Sequence, residues 1–588
     1  MLPNPPFVLL DDARPDGAPA RLYRAPLRVV EAREPAAVRP ALDAIRRANA
    51  DGLHAAGFLA YEAGTAFEPA IARQVADGPL LWFGLFDRWE GLSAEQLLAE
   101  LPDPAGAWNG DVAARMSREA YDAAFARVLD LIRAGDLYQA NLSFRAELPV
   151  MGDPLALYAA LRSGAGAGWG AVVATGAETI LSFSPELFFA LDGRRLTCRP
   201  MKGTARRGST PAADRAAQEA LASDPKQRAE NLMIVDLMRN DLSRVAEPGS
   251  VEASDLFTVE TYPTVHQMVS TVTATLEAGR DALDVIAAAF PCGSVTGAPK
   301  VRAMQVIADA EGEPSRGVYT GSIGRIDVDG DAQFNVAIRT LAMRDGDSRA
   351  VIGLGSGLVA DSQVDEEWEE CLAKAAFLGA GRHRLDLIET MAFDPEEGFP
   401  LLELHLRRMK ASAEAFGFVF DRHAARNDLQ AATFRLRAPA RVRLLLARSG
   451  AVAIEVGPMP PPPLDPVRVA IVPLPVSPRD FRLRHKTTDR AFYDRARRGV
   501  DAFEVLFEDT EGYLTEGSFT SLFVPRDGRL VTPPLARGLL PGVLRASLFE
   551  AGRAVEGELT RDDLRDGLLV GNALRGLMPA VASPHATG

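Results

Sequence analysis

Cysteine is scarce in this chain: three residues, Cys198, Cys292 and Cys371, among 588. Their wide spacing excludes a disulfide framework and a cysteine metal cage, and it fits a reducing compartment such as the cytoplasm. No apolar run reaches the length that spans a bilayer, so no membrane association is expected. The start, Met1-Leu2-Pro3-Asn4-Pro5-Pro6, lacks the basic region of a secretion signal. Positive charge is also short. A net charge of −14 argues against a nucleic-acid surface, and an anionic substrate must be held by local Lys, Arg or metal against the overall field. No internal repeat occurs, and no Gly-x-Cys-x-Gly nucleophile elbow. Apolar residues, by contrast, make up 47% of the chain, enough for substantial cores, and 588 residues suggest several domains.

The periodicities predict an α+β protein. Residues 119–134 carry Tyr121, Phe125, Val128, Leu129 and Ile132 at helical spacing, and a strand follows from Tyr138 to Phe144. Short strands are predicted near 171–175, 180–183, 187–191, 318–328, 334–343 and 350–354. A helix is predicted over 226–244, and another from Asp365 closes the first unit at Gly379-Ala380-Gly381. A new pattern begins near Leu385, which places the domains at 1–382 and 383–588. The run Pro458-Met459-Pro460-Pro461-Pro462-Pro463 suits neither helix nor central strand and reads as a stiff spacer between two lobes of the second unit.

Several residues carry chemistry. Lys202, in Pro200-Met201-Lys202-Gly203-Thr204, follows Glu186 by sixteen residues. An amine becomes a nucleophile when burial or a nearby cation removes its proton, and a carboxyl nearby can protonate a leaving group. Otherwise Lys202 is a salt-bridging lysine on a strand edge. Glu367 and Glu370 share one helix face with Lys374 a turn beyond; spacing alone reads more readily as an acidic solvated face. Glycines in Ile352-Gly353-Leu354-Gly355-Ser356-Gly357 would let backbone N–H groups approach an anion.

The set of motifs resembles the chorismate-utilising enzymes over about residues 50–380. It comprises Ser184-Pro185-Glu186, Ala229-Glu230-Asn231-Leu232-Met233, Val265-His266-Gln267-Met268, Cys292-Gly293-Ser294-Val295-Thr296-Gly297, Tyr319-Thr320-Gly321-Ser322, Ala337-Ile338-Arg339-Thr340 and the glycine and acidic runs, in order. The resemblance implies antiparallel sheets with flanking helices. It implies Mg²⁺ on Glu230 and Glu370 with Glu367 close by. Arg339 and Tyr319 would hold a carboxylate, and Gly355 and Gly357 would donate backbone N–H groups. His266, Thr296 and Lys374 would line the ring site, and Glu186 would be the general acid. The segment around Lys202 is similar to the Pro-Ile-Lys-Gly-Thr signature of aminodeoxychorismate synthases, where the lysine is the nucleophile; anthranilate synthases usually carry a small residue there. Val8-Leu9-Leu10-Asp11-Asp12 also lacks the Leu-Leu-Glu-Ser element linked to tryptophan feedback.

Residues 385–588 contain Arg484-His485-Lys486-Thr487-Thr488, Tyr513-Leu514-Thr515-Glu516-Gly517 and Leu540-Pro541-Gly542-Val543-Leu544-Arg545. They resemble two-lobed α/β fold-type IV pyridoxal-phosphate enzymes. The resemblance assigns Lys486 to the cofactor's aldehyde, Glu516 to its pyridine nitrogen, and Arg408 with the N–H groups of Val543 and Leu544 to its phosphate. Lys486 reads otherwise as part of a solvated basic face, and Arg408 as an ordinary surface arginine. Leu544 stands where threonine is frequent and Ser521 where asparagine is, and the usual preceding strand with its Asp-Arg-Gly turn is missing.

Together the two resemblances imply consecutive steps: chorismate and ammonia to 4-amino-4-deoxychorismate, then loss of pyruvate to give 4-aminobenzoate for folate. Ammonia would be free or come from a separate glutamine amidotransferase subunit, and the second unit would form a homodimer. Two alternatives stand: an anthranilate synthase fused to an aminotransferase, and a non-catalytic regulatory subunit.

Overall fold

A computed structural model describes residues 2–583 apart from 69, 72–76, 263–264, 313–314, 380–383 and 464–465. The expected boundary at 382/383 lies outside the described residues. The chain separates into two compact units. The first comprises Met1–Leu101, Asp111–Val150 and Tyr158–Gly381; the second comprises Pro102–Gly110, Met151–Leu157 and Arg382–Gly588.

The first unit is built on two antiparallel sheets. One orders its strands 297–298, 139–152, 349–358, 340–344, 178–184, 169–174, 7–11, 20–24 and 90–92. The other runs 201–206, 265–275, 195–199, 187–192, 332–335, 322–326, 54–59, 81–86 and 28–32. Alternate side chains of both sheets, among them Val8, Tyr23, Val173, Phe58 and Trp82, bury each other in a shared layer. The opposite face of the second sheet packs on the helices Pro35–Ala50, Pro225–Ser243 and Ala282–Ala289 through Ile45, Ile234, Met238 and Ile286.

The predicted helices fall at Arg118–Arg133, Pro225–Ser243 and Val364–Ala373. Asp224 caps the second through the amides of Lys226 and Gln227, with Pro225 at its first position. The single strand expected over 334–343 is two, Ala332–Asn335 and Thr340–Arg344. Arg339 lies between them at φ 50°. That left-handed backbone cannot continue a strand.

In the second unit, strands 387–393, 440–446 and 452–458 form an antiparallel sheet under the helices Leu402–Phe416 and Arg422–Thr433. A larger mixed sheet orders 514–517, 504–508, 467–473, 576–582, 568–572, 521–526, 529–532 and 554–556. The proline run starts where strand 452–458 ends and precedes the first strand of the larger sheet. Two upstream segments complete this unit. Trp108 packs edge-on to Phe416 with ring centroids 5.0 Å apart, in a core shared with Met151. Buried Arg482 donates to Asp103 at 2.7 Å and to Asp480 at 2.6 Å, and the Ser477 hydroxyl donates to Asp153 at 2.6 Å.

Candidate active sites

Two neighbouring strands make the floor of the first site. Gly353, Gly355 and Gly357 stand opposite Arg145, Ser143 and Asn141. Strand alternation puts these residues and Gln139 on one face. A Cβ on Gly353 would lie 2.1 Å from the Tyr319 ring, and one on Gly355 would lie 3.0 Å from the Tyr319 hydroxyl. On Gly357 it would lie 2.7 Å from Lys202 Nζ and 2.8 Å from Gln139 Nε2. The glycines therefore make room for a tyrosine and a lysine to lie over the sheet.

Glu186 follows the strand Glu178–Ser184 and is buried. The Ser294 hydroxyl donates to its Oε1 at 2.7 Å. Burial pushes the carboxyl up to about 7, with Ser294 and Lys202 opposing. Lys202 is held on its strand by Asn231, whose side-chain amide donates to the Lys202 carbonyl at 3.2 Å. Burial and then Lys374 lower its amine, while Glu230, Glu370 and Glu186 oppose. A protonatable acid and a weakened ammonium thus share one site.

Carboxylates form the other wall. Burial raises Glu230; Lys202 and Lys226 oppose, and Glu367 and Asp361 add to the rise. Burial also raises Glu370, but Lys374, Lys202 and Lys226 outweigh it and hold the group below its ordinary value. Lys374 pairs with Glu370 at 2.9 Å and donates to the Gly355 carbonyl at 2.6 Å. The Ser362 hydroxyl donates to Glu367 at 2.6 Å. Among the described residues no three His, Cys, Asp or Glu side chains form a preformed metal cage. The donor set still fits a hard cation. All three groups offer oxygen, Glu230 is crowded by like charge, and Mg²⁺ commonly binds one or two carboxylates plus substrate.

Other expected site residues differ in how free they are. Burial lowers the Arg339 guanidinium, and Tyr262 is the one neighbour that opposes. A half-buried cation with no carboxylate partner among the described residues suits an anionic ligand. The Thr296 hydroxyl is committed to the Cys292 carbonyl at 2.8 Å. His266 has both ring nitrogens engaged, Nε2 with Asp214 at 2.9 Å and Nδ1 with the Thr261 hydroxyl at 3.0 Å. Ser294, Asp214 and Gln139 were missed as site residues by sequence reasoning. Gln139 could have been found: Gln139-Ala140-Asn141-Leu142-Ser143 places polar groups at alternate positions at the start of a strand, where every residue is buried.

In the second site Lys486 lies beside strand 387–393, its carbonyl accepting from the Ile388 amide at 3.0 Å. Burial and then Arg408 push its amine down to about 7. Glu516 is buried and pushed up to about 7. Tyr493 donates to its Oε1 at 2.6 Å and the Leu540 amide to its Oε2 at 3.0 Å. Five donors, from Val505, Ser518 twice, Phe519 and Thr520, converge on buried Glu504 and pin the turn after Glu516.

Arg408 forms a bidentate pair with Glu389 at 2.8 and 2.7 Å and donates to the Pro541 carbonyl at 3.1 Å. Beside it the helix Val543–Glu550 starts at Gly542 without a side-chain cap. A Cβ on Gly542 would sit 2.6 Å from the Ser521 hydroxyl. The first-turn amides have no intrahelical acceptor. A depressed lysine, a buried carboxyl and an uncapped helix start beside an arginine fit pyridoxal phosphate.

Residues 16–379 match the family of chorismate binding enzymes. The chain belongs to that family. Residues 386–582 match the class IV aminotransferases, so a chorismate-binding domain precedes a fold-type IV domain, whose class uses pyridoxal phosphate. Aminodeoxychorismate synthase component 1 of Klebsiella aerogenes is 40% identical over 342 residues, 54% of this chain and 75% of that one. Anthranilate synthase component 1 of Haloferax volcanii is 40% identical over 283 residues, 48% of this chain and 53% of that one. The chain thus spans three quarters of one relative's length and about half of the other's. The crystal structure of anthranilate synthase component I from Streptococcus pneumoniae superposes with a TM-score of 0.53 at 25% identity, covering 65% of this chain and 94% of that one. No described helix is long and apolar enough to cross a membrane.

Proposed function

We propose that the first unit converts chorismate and ammonia to 4-amino-4-deoxychorismate, and that the second eliminates pyruvate from that product to leave 4-aminobenzoate. One observation carries the reading: Lys202 Nζ stands over Gly357, in one site with a Glu186 carboxyl that is half protonated at about pH 7. Lys202 forms a bond to ring carbon 2 while the 4-hydroxyl leaves as water with the Glu186 proton. Ammonia then bonds to carbon 4, and the lysine leaves from carbon 2. Arg339 and Tyr319 hold the side-chain carboxylate. Glu230 and Glu370, with Glu367 near, would hold Mg²⁺ against the other, where a hard cation neutralises carboxylate charge. Ammonia comes from a separate glutamine amidotransferase subunit.

In the second unit Lys486, Glu516, Arg408 and the amides of Val543 and Leu544 would hold pyridoxal phosphate, which supplies an electron sink for charge developing at the substrate carbon. Lys486 Nζ, near neutrality at physiological pH, moves the proton at carbon 4. Glu516, buried and bonded by the Tyr493 hydroxyl and the Leu540 amide, carries the charge at its end of the site.

The rival reading, anthranilate formation, draws on the relatives named anthranilate synthase. Product analysis from chorismate, ammonium, Mg²⁺ and pyridoxal phosphate separates the two. 4-Aminobenzoate with one pyruvate supports the proposal; anthranilate as the product overturns it.

A further inference from the structure

Gln139 has no role in the chemistry above, yet its environment is unusual. It is the first residue of the strand Gln139–Gly152 and has no solvent exposure. Both polar atoms of its side chain, Nε2 and Oε1, are buried without a hydrogen-bond partner among the described residues. A primary amide can make up to four hydrogen bonds, and leaving a buried one unpaired forfeits its hydration with nothing in return. Such groups are rare and call for a reason. The side chain is not turned into an apolar core. Its Nε2 flanks the same face of Gly357 as Lys202 Nζ, at 2.8 Å and 2.7 Å from where a Cβ would lie. Any side chain at 357 would displace both.

The identity of the residue matters as much as its place. A neutral amine that attacks carbon must turn its lone pair to the substrate and give its N–H groups to acceptors behind it. The carboxylates around Lys202, Glu230, Glu370 and Glu186, would accept those hydrogens but favour the charged ammonium, which has no lone pair to donate. An amide oxygen accepts an N–H and carries no net charge, so it orients the amine without holding its proton in place.

We propose that Gln139 is a positioning residue for Lys202: when substrate is bound its amide turns to present Oε1 where Nε2 stands, and that oxygen accepts a hydrogen bond from the amine and aims the lone pair at the ring. The inference rests on the reading of Lys202 as nucleophile. Gln139 forms no bond to substrate carbon and loses no proton. Its contribution is geometric, so it acts on the rate of the covalent step and little on substrate affinity.

The test uses the full chain with Mg²⁺ and chorismate. The Lys202 adduct is followed by intact-protein and peptide mass analysis after rapid acid quench, and chorismate affinity is measured by calorimetry. Gln139→Met keeps the shape and removes the acceptor; the adduct should form roughly 10²-fold more slowly with kcat falling alike, while Kd and KM change less than about threefold. Gln139→Glu keeps an acceptor oxygen and should form the adduct faster than Gln139→Met but more slowly than the wild type. Circular dichroism checks the fold of both. An adduct that forms equally fast in wild type and Gln139→Met overturns the positioning role alone. Equal loss in both variants with KM raised in step also overturns it, since that pattern reports lost packing. No adduct in the wild type under turnover overturns the nucleophile reading, and the inference with it.

Discussion

Each unit holds one half-buried lysine for chemistry, and the two sites surround it differently. Lys202 stands among Glu230, Glu370 and Glu186, with Lys374 as the cation that lowers it. Lys486 has Arg408, Arg490 and Arg443 around it and one opposing carboxylate, Glu389. Burial weakens both ammonium groups. The acidic ring offsets that at the first site, whereas the basic ring adds to it and takes Lys486 down to about 7. The contrast matches the partners proposed for them. A site that gathers a divalent cation needs carboxylates, and one that gathers a phosphate needs arginines. The buried carboxyls invert the pattern less: Glu186 and Glu516 are both pushed up to about 7, each with a hydroxyl donor at 2.6–2.7 Å.

The sharpest way to break the comparison is to remove one lysine. Lys202→Ala should lower 4-amino-4-deoxychorismate formation by ~10²–10⁴-fold, the range for one positioned catalytic group, and leave pyruvate release from supplied 4-amino-4-deoxychorismate unchanged. Chromatography of both products checks it. If 4-aminobenzoate still appears from chorismate at the wild-type rate, Lys202 is not the nucleophile.

Next comes a change that touches neither lysine. Trp108 lies more than 250 positions before the bulk of the second unit, yet its indole is buried in that unit's core. Trp108→Ala should destabilise the second unit by ~3–5 kcal/mol, the cost of emptying a buried aromatic site. Denaturant unfolding followed by the release of bound pyridoxal phosphate should then shift to lower concentration. An unmoved midpoint would mean that segment 102–110 adds nothing to that core.

Much of this was legible in the sequence, for a physical reason. Helix periodicity over 119–134 survives because Tyr121, Phe125, Val128 and Ile132 all face the core. The glycine alternation at 353, 355 and 357 marked a close approach before its partners were known. What stayed hidden depends on contacts distant in the chain. Nothing local says that Trp108 joins Phe416, that Asp103 meets Arg482, or that Asp214 engages His266. The break at Arg339 is hidden because the apolar run Val336-Ala337-Ile338 reads as a continuing strand; only the left-handed backbone interrupts it. Gln139 carries no chemical motif by itself, and only its alternation with Asn141 and Ser143 marks it.

The third expectation sets the sites against each other on one pH axis. Glu186 must be protonated to donate and Lys202 neutral to attack, so once the Lys202 amine is free the first reaction should fall as pH rises above about 7. Its folded value lies above the ordinary 4.5, so its contribution to stability is full below that value and is lost as pH rises through about 7. At the second site Glu516 should be ionised and Lys486 neutral to take up cofactor. Cofactor uptake by the stripped protein should therefore rise with pH across the same range. Chorismate consumption and cofactor uptake that rise together above pH 7 would contradict the assignment of Glu186 as acid.

The smallest effect expected concerns one hydroxyl. Tyr493 donates to Glu516 Oε1, and its ring also packs against Phe507 and under the Arg490 guanidinium. Tyr493→Phe keeps the packing and removes the donor. Glu516 then retains the Leu540 amide at Oε2 and loses its best reason to be ionised in a dry pocket. A hydrogen bond to a charged group contributes about 1.5–3 kcal/mol, so pyridoxal phosphate should bind at least roughly tenfold more weakly. The first site contains no part of this contact, so chorismate consumption should not change. Spectroscopic titration of the stripped variant measures the affinity. If Tyr493→Phe binds cofactor as tightly as the wild type, the charge on Glu516 is set by the Leu540 amide and Arg490 instead, and the likeness drawn between the hydroxyl donors at Glu186 and Glu516 is coincidental.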